Sequence, residues 1–96
     1  MRPSVLLERH RDEVRAIALA HRVANPRVFG SASRGEDTDA SDLDVLVDAT
    51  PETTLFDLAS IALELEERLG IEVDVVTPED LPVKYRDRVV AEAQQV

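Results

Sequence analysis

The sequence contains no cysteine, only three glycines and five prolines in 96 residues, and no long uninterrupted apolar run. Without Cys there is neither a disulfide staple nor a thiolate zinc site. Sparse Gly and Pro exclude the collagen-like and disordered classes, and the missing apolar run excludes a membrane-spanning helix. A basic excess is also absent: the net charge is -9. That balance repels nucleic acid at long range, so no direct nucleic-acid partner is expected, and no membrane partner either. Only two histidines occur, His10 and His21, both in the first predicted helix and too far apart to share a turn. They read as a surface and a boundary residue, with no assigned role. Met1 leads into Arg2, Pro3 and a charged amphipathic stretch in place of a hydrophobic signal segment, which predicts a cytoplasmic protein.

What is present is ordinary globular composition, 44% apolar and 32% charged, in a length that suits one two-layer domain spanning residues 1–96 with a radius of gyration of roughly 13 Å. A chain this short buries a modest share of its surface and relies on its core or on a partner. The charge is segregated. Residues 36–80 hold fifteen acids against Arg68 alone, whereas residues 1–35 hold seven arginines against Glu8, Asp12 and Glu13. Arg9, Arg11, Arg15 and Arg22 read as a solvated helix face, with an acidic partner as the minor alternative.

Apolar positions at Leu7, Val14, Ile17 and Ala18 predict a first helix from Ser4, its cap, to about His21. Asn25 and Pro26 stop it, and Arg27–Phe29 then form a short strand ending at Gly30. Asp42 to Asp48 alternates strictly, with Leu43, Val45 and Val47 on one face and Asp42, Asp44 and Leu46 on the other. Thr50, Pro51 and Glu52 read as a helix start, followed by a stripe of Leu55, Leu58, Ala59, Ala62, Leu65 and Leu69 that Gly70 ends. Ile71 to Val76 alternates again, and after Thr77 and Pro78 a region broken by Pro82 leads into a terminal helix through Tyr85, Val89 and Ala93.

A strand, helix, strand unit with short links makes a right-handed crossover and sets its two strands parallel. With Leu43, Val45, Val47, Ile71, Val73 and Val75 under the crossover helix, Asp42, Asp44 and Asp74 emerge together on the opposite face. Two ionised acids about 4 Å apart repel by roughly 4 kcal/mol at an effective dielectric near 20, so such a cluster calls for protons or cations. Oxygen ligands without His or Cys select Mg²⁺ or Mn²⁺ over zinc and leave positions for substrate phosphates. Two metals bridged by Asp42 and Asp44 suit phosphoryl transfer, with Asp74 beside the attacking hydroxyl. The turn Gly30-Ser31-Ala32-Ser33-Arg34-Gly35 supplies backbone N–H groups, the hydroxyls of Ser31 and Ser33 and the Arg34 cation for the outer phosphates.

Gly30-Ser31, ten residues, then Asp42-Leu43-Asp44 resembles the Gly-Ser-x10-Asp-x-Asp signature of minimal nucleotidyltransferases in the DNA polymerase beta superfamily. Arg34-Gly35 and Asp74 fit the same pattern, and Ser33 stands where family members often carry Ala. The resemblance implies an α+β fold, a small mixed sheet of about three strands packed with helices. By it Asp42, Asp44 and Asp74 are catalytic metal ligands, and Gly30, Ser31 and Arg34 bind the phosphates of ATP, to which the turn chemistry adds the Ser33 hydroxyl. Stand-alone members of this size are similar to antitoxins of HEPN/MNT pairs, which move AMP from ATP to a tyrosine of a HEPN ribonuclease toxin. A non-catalytic antitoxin that acts by binding alone is the alternative, and transfer to a small molecule such as an aminoglycoside a third reading.

Other motifs fit less well. Gly30 and Gly35 have P-loop spacing, but Glu36 and Asp37 stand where Lys and Ser or Thr are needed. Ser33 lies in a Ser-x-Ser-x-Gly turn without a later His, which excludes the nucleophile-elbow order. Asp37, Asp39, Ser41 and Asp48 match four EF-hand positions, but Asp42 replaces the turn Gly and Asp48 the bidentate Glu. Tyr85, the only Tyr, reads as a helix-packing residue, with self-modification as an acceptor the minor alternative.

Overall fold

The computed structural model describes every residue from Met1 to Val96. The chain runs α1 (Pro3–Leu19), β1 (Val23–Phe29), α2 (Ser31–Arg34), β2 (Leu43–Ala49), α3 (Leu55–Leu69) and β3 (Val73–Val76). A 3-10 turn (Pro78–Asp80), α4 (Val83–Glu92) and β4 (Gln94–Gln95) complete it. The strands form one mixed sheet in the order β3-β2-β1-β4. The crossover through α3 sets β2 and β3 parallel, as the pattern predicts, while β1 is antiparallel to both β2 and β4.

Helical periodicity puts Leu7, Val14 and Ala18 of α1 and Ile61, Leu65 and Leu69 of α3 on one face of the sheet, against Val28, Leu43, Val45, Val47 and Val73. The 3-10 turn and α4 pack on the other face, against β2 and β1. Leu46, which faces that side between its register partners Arg27 and Val76, is fully buried. The middle of β2 is therefore covered on both faces, and its start is the more open part.

Four local expectations are corrected. First, α1 ends at Leu19, and Asn25 and Pro26 lie inside β1. Asn25 has φ 53°, which Asn tolerates better than most residues, and the register slips between Ala24 and Arg27. This bulge accommodates a proline that has no N–H for the ladder. Arg27 is buried beside it, donating to Asn25 O at 3.0 Å and to Asp48 Oδ1 at 2.6 Å.

Second, Ser4 is not the cap of α1. It lies inside the first turn, and its N–H and hydroxyl donate to Asp37 at 2.7 and 2.9 Å. A buried carboxylate from the loop before β2 thus satisfies the helix end from outside. Burial pushes the Asp37 carboxyl up, but the Ser4 backbone and hydroxyl bonds outweigh it and hold it below the usual carboxylate range.

Third, α3 starts at Leu55 with Thr54 as cap. Thr54 N–H donates to Asp57 Oδ2 at 2.8 Å and Asp57 N–H to Thr54 Oγ1 at 3.3 Å, a capping box. Thr50 instead opens a turn, its N–H donating to Thr53 Oγ1 at 2.7 Å. The inward stripe also differs from the expected one: Ile61 is fully buried, whereas Leu55 stays 82% exposed.

Fourth, the sheet has four strands. Gln94 and Gln95 carry no alternating pattern, yet the segment is tied down on every side. Val96 is buried and donates to Pro26 O at 3.3 Å, while Arg11 donates to Gln95 O at 3.0 Å and Arg15 to Val96 O at 2.9 Å. Arg11 and Arg15 are therefore structural. Arg22 is also engaged, lying 3.4 Å from Asp57. No helix is long and apolar enough to cross a membrane.

Candidate active site

The parallel register of β2 and β3 sets Asp44 directly opposite Asp74. Their neighbours Leu43, Val45 and Val73 are buried under α3, so alternation turns both acids to the other face. Asp42, two residues before Asp44 and just ahead of β2, falls on the same side. Asp42 and Asp74 are exposed and Asp44 is half-buried. The Asp44 carboxyl is pushed up to about 6, by burial first and then by the charges of Asp74 and Asp42, with Arg34 opposing. These three charged residues therefore share one electrostatic neighbourhood with Asp44.

The turn after β1 meets the same carboxylate. Gly30 has φ 74° and ψ -152°, a conformation essentially confined to glycine. A Cβ built there would collide with Asp44 Oδ2, so the bare backbone is what lets turn and acid touch. Gly35 closes α2 at φ 71° with open space around it.

The polar side chains of the turn divide. Ser33 Oγ donates to Gly30 O at 2.9 Å and so braces the turn itself. Ser31 is half-exposed at the helix start. Arg34 Nε donates to Glu36 Oε2 at 3.0 Å, with a side chain 48% exposed and free to swing.

The acids share a face without closing into a cage, since no three His, Cys, Asp or Glu side chains are drawn close enough to hold an ion as they stand. Mutual repulsion opposes a closer approach. The donor set nevertheless fits a hard divalent cation: it is carboxylate only, it clusters at one end of the paired strands, and Asp74 and Asp42 add their negative charge to the burial that already raises Asp44. A concavity of about 430 Å³ along Glu8–Glu13 of α1 has no hydrophobic lining and contains none of these three acids.

Among residues that the sequence reading missed, Asp37 and Asp57 act as helix-end carboxylates. Capping at Asp57 was signalled by Thr54-x-x-Asp57. The reach of Asp37 to Ser4 spans 33 positions and had no local signal. The two histidines are partnered, His10 to Glu13 at 3.1 Å and His21 to Glu64.

Residues 7–96 match the nucleotidyltransferase domain family. Over 80 residues the chain is 41% identical to a Methanocaldococcus jannaschii protein called "Putative protein adenylyltransferase MJ0435", covering 83% of this chain and 86% of that one. A solved structure described as a "putative minimal nucleotidyltransferase" superposes with a TM-score of 0.82 at 35% identity, covering 97% of this chain and 93% of the other. A toxin-antitoxin complex with AMP-PNP superposes with a TM-score of 0.74 at 22% identity over 88% of this chain and 69% of that one, a likeness of fold. With these matches spanning nearly its whole length, the chain belongs to the nucleotidyltransferase domain family, as a minimal nucleotidyltransferase.

Proposed function

We propose that the protein transfers AMP from ATP to a tyrosine hydroxyl of a partner protein, a HEPN ribonuclease toxin, and so acts as its antitoxin. One observation carries the reading: the register pairing of Asp44 with Asp74, on the sheet face where Gly30 touches Asp44. The description of the Methanocaldococcus relative as a protein adenylyltransferase and the toxin-antitoxin fold neighbours support it.

Asp42 and Asp44 would hold Mg²⁺, with Asp74 completing the set. When bound, the cation neutralises phosphate charge and lowers the pKa of an acceptor hydroxyl. The chain's own residues do the rest. The backbone of Gly30 and Ser31 receives the outer phosphates without a side chain in the way, and Arg34 releases Glu36 to neutralise the departing pyrophosphate. Ser33 holds the turn in shape through Gly30 O. Asp74, exposed at the rim, is placed to accept the proton of the incoming hydroxyl as its oxygen bonds to the α-phosphorus.

The test is ATP labelled in its α-phosphate, incubated with Mg²⁺, the protein and its co-expressed toxin. The toxin should gain label and one or more AMP units of mass with unaltered protein, and neither with Asp42→Ala or Asp44→Ala. A toxin that the double variant neutralises fully, without mass gain, would instead establish inhibition by binding alone.

A further inference from the structure

The outward face of α3 is apolar where a solvent-facing helix surface is normally polar. Leu55, Phe56 and Leu63 are 82%, 84% and 64% exposed. With Ala59 they fall within one arc of roughly 100° around the helix, opposite buried Ile61 and Leu65. Single exposed apolar residues are unremarked on any surface, but three on one arc mark an interaction site. The core does not need them, because Ile61, Leu65 and Leu69 already fill the inner side.

Both ends of this stripe are acidic. Glu52 is exposed in the turn before the helix and Glu67 is exposed near its end. The only base of α3, Arg68, lies on the opposite side and is tied to Glu13 of α1. A second copy is a poor occupant: each chain carries a net charge of -9, and two copies meeting on this face bring acidic ends together, like charge on like. The stripe itself offers on the order of 400 Å², about half of the ~800 Å² that each side of a standard interface buries. Whatever covers it must therefore reach the acidic ends as well.

We propose that the outer face of α3 docks a different protein, one that presents an apolar patch flanked by Lys or Arg. The face lies across the sheet from Asp42, Asp44 and Asp74, so a docked partner leaves those acids open to an acceptor side chain. The docking surface does not depend on the transfer activity: Asp44→Asn retains it, and variants of the stripe retain any basal transfer.

Two labelled amphipathic helical peptides with the same Leu/Phe face, one flanked by Lys and one by Glu, test this by fluorescence anisotropy with the 96-residue chain. The Lys-flanked peptide should bind at least about tenfold more tightly than its Glu-flanked counterpart. The double variant Phe56→Gln, Leu63→Gln should lose about tenfold in affinity, a deficit of about 1.4 kcal/mol, with an unchanged melting temperature. Glu52→Gln with Glu67→Gln should weaken binding a few-fold and flatten its salt dependence. Equal binding of the Lys-flanked peptide to the apolar double variant, or no binding to the unaltered protein, overturns the proposal. So does a dimer in sedimentation that Phe56→Gln, Leu63→Gln dissociates, since the occupant would then be a second copy.

Discussion

Replacing Gly30 by Ala isolates the contact that joins the turn to the acids, and Gly35→Ala supplies its control. Both glycines have positive φ, 74° and 71°, so both substitutions strain the backbone. At Gly35 nothing lies within 4 Å of the new methyl group, and the cost is that of a left-handed residue, about 1–2 kcal/mol. At Gly30 the ψ of -152° falls in a more restricted region, costing about 1–3 kcal/mol. The methyl group also drives Asp44 off its rotamer, for about 0.5–1.5 kcal/mol more. Gly30→Ala should therefore lose about 2–4 kcal/mol in denaturant unfolding, against about 1–2 kcal/mol for Gly35→Ala.

The functional consequence differs more sharply. Moving a reacting group by about 1 Å can cost about 100-fold in rate, so Gly30→Ala should fall by that order in AMP transfer while Gly35→Ala stays within several-fold. At pH 4, where loss of the Asp44 charge brings no gain of its own, adding Asp44→Ala to Gly30→Ala removes the collision and should return about 1 kcal/mol of stability, leaving the backbone strain. Equal losses of stability and activity at the two glycines would refute the claimed contact.

Other outcomes follow from the same geometry. The Asp44 carboxyl, raised to about 6, stays protonated in the folded chain where the unfolded chain has already ionised, so stability falls as pH rises from about 4 to 6 and is flat above. A shift of this size is worth about 3 kcal/mol in a sealed site, and half-exposure reduces it to roughly 1 kcal/mol. Asp44→Asn should therefore melt higher at pH 7 by about 1 kcal/mol, with no gain at pH 4 and no transfer activity. Asp37 carries the opposite sign: its lowered carboxyl stabilises the fold above the unfolded pKa near 4, and that contribution disappears as pH falls through the folded value. Asp37→Ala, which leaves Ser4 without its acceptor, should cost about 1–2 kcal/mol at pH 7 by chemical denaturation. Ile61→Ala empties a fully buried site and should cost about 2–5 kcal/mol, against less than about 0.5 kcal/mol for Leu63→Ala on the exposed face.

The placement of Asp42, Asp44 and Asp74 was legible because it depends on two local regularities, the period of two along each strand and the fixed hand of the crossover. Gly30 was legible as a turn glycine, but its contact with Asp44 requires β1 and β2 to pair with Phe29 opposite Asp44, a long-range register that no local pattern encodes. The same reason hid Asp37, whose partner Ser4 looked like a cap in isolation, and the edge strand Gln94–Gln95, held by Arg11, Arg15 and a buried Val96. Leu55 misled because strength of hydrophobic character does not say which arc of a helix faces inward. The arc that packs on the sheet runs through Leu58, Ile61, Leu65 and Leu69, so Ile61 enters the core and Leu55 and Phe56 face out. Ser33 was legible as part of the turn, yet its hydroxyl is engaged by Gly30 O, a choice that depends on backbone geometry.

Paramagnetic broadening by Mn²⁺ of assigned backbone amide signals tests the central proposition without relying on turnover. Substoichiometric Mn²⁺ should broaden the residues around Asp42, Asp44 and Asp74 and the turn from Gly30 to Gly35, excess Mg²⁺ should reverse it, and Asp44→Asn should weaken it strongly. Broadening centred on the acidic surface elsewhere, such as Glu64 to Glu67, or unchanged in Asp44→Asn, would contradict the assignment of these three carboxylates as the metal site.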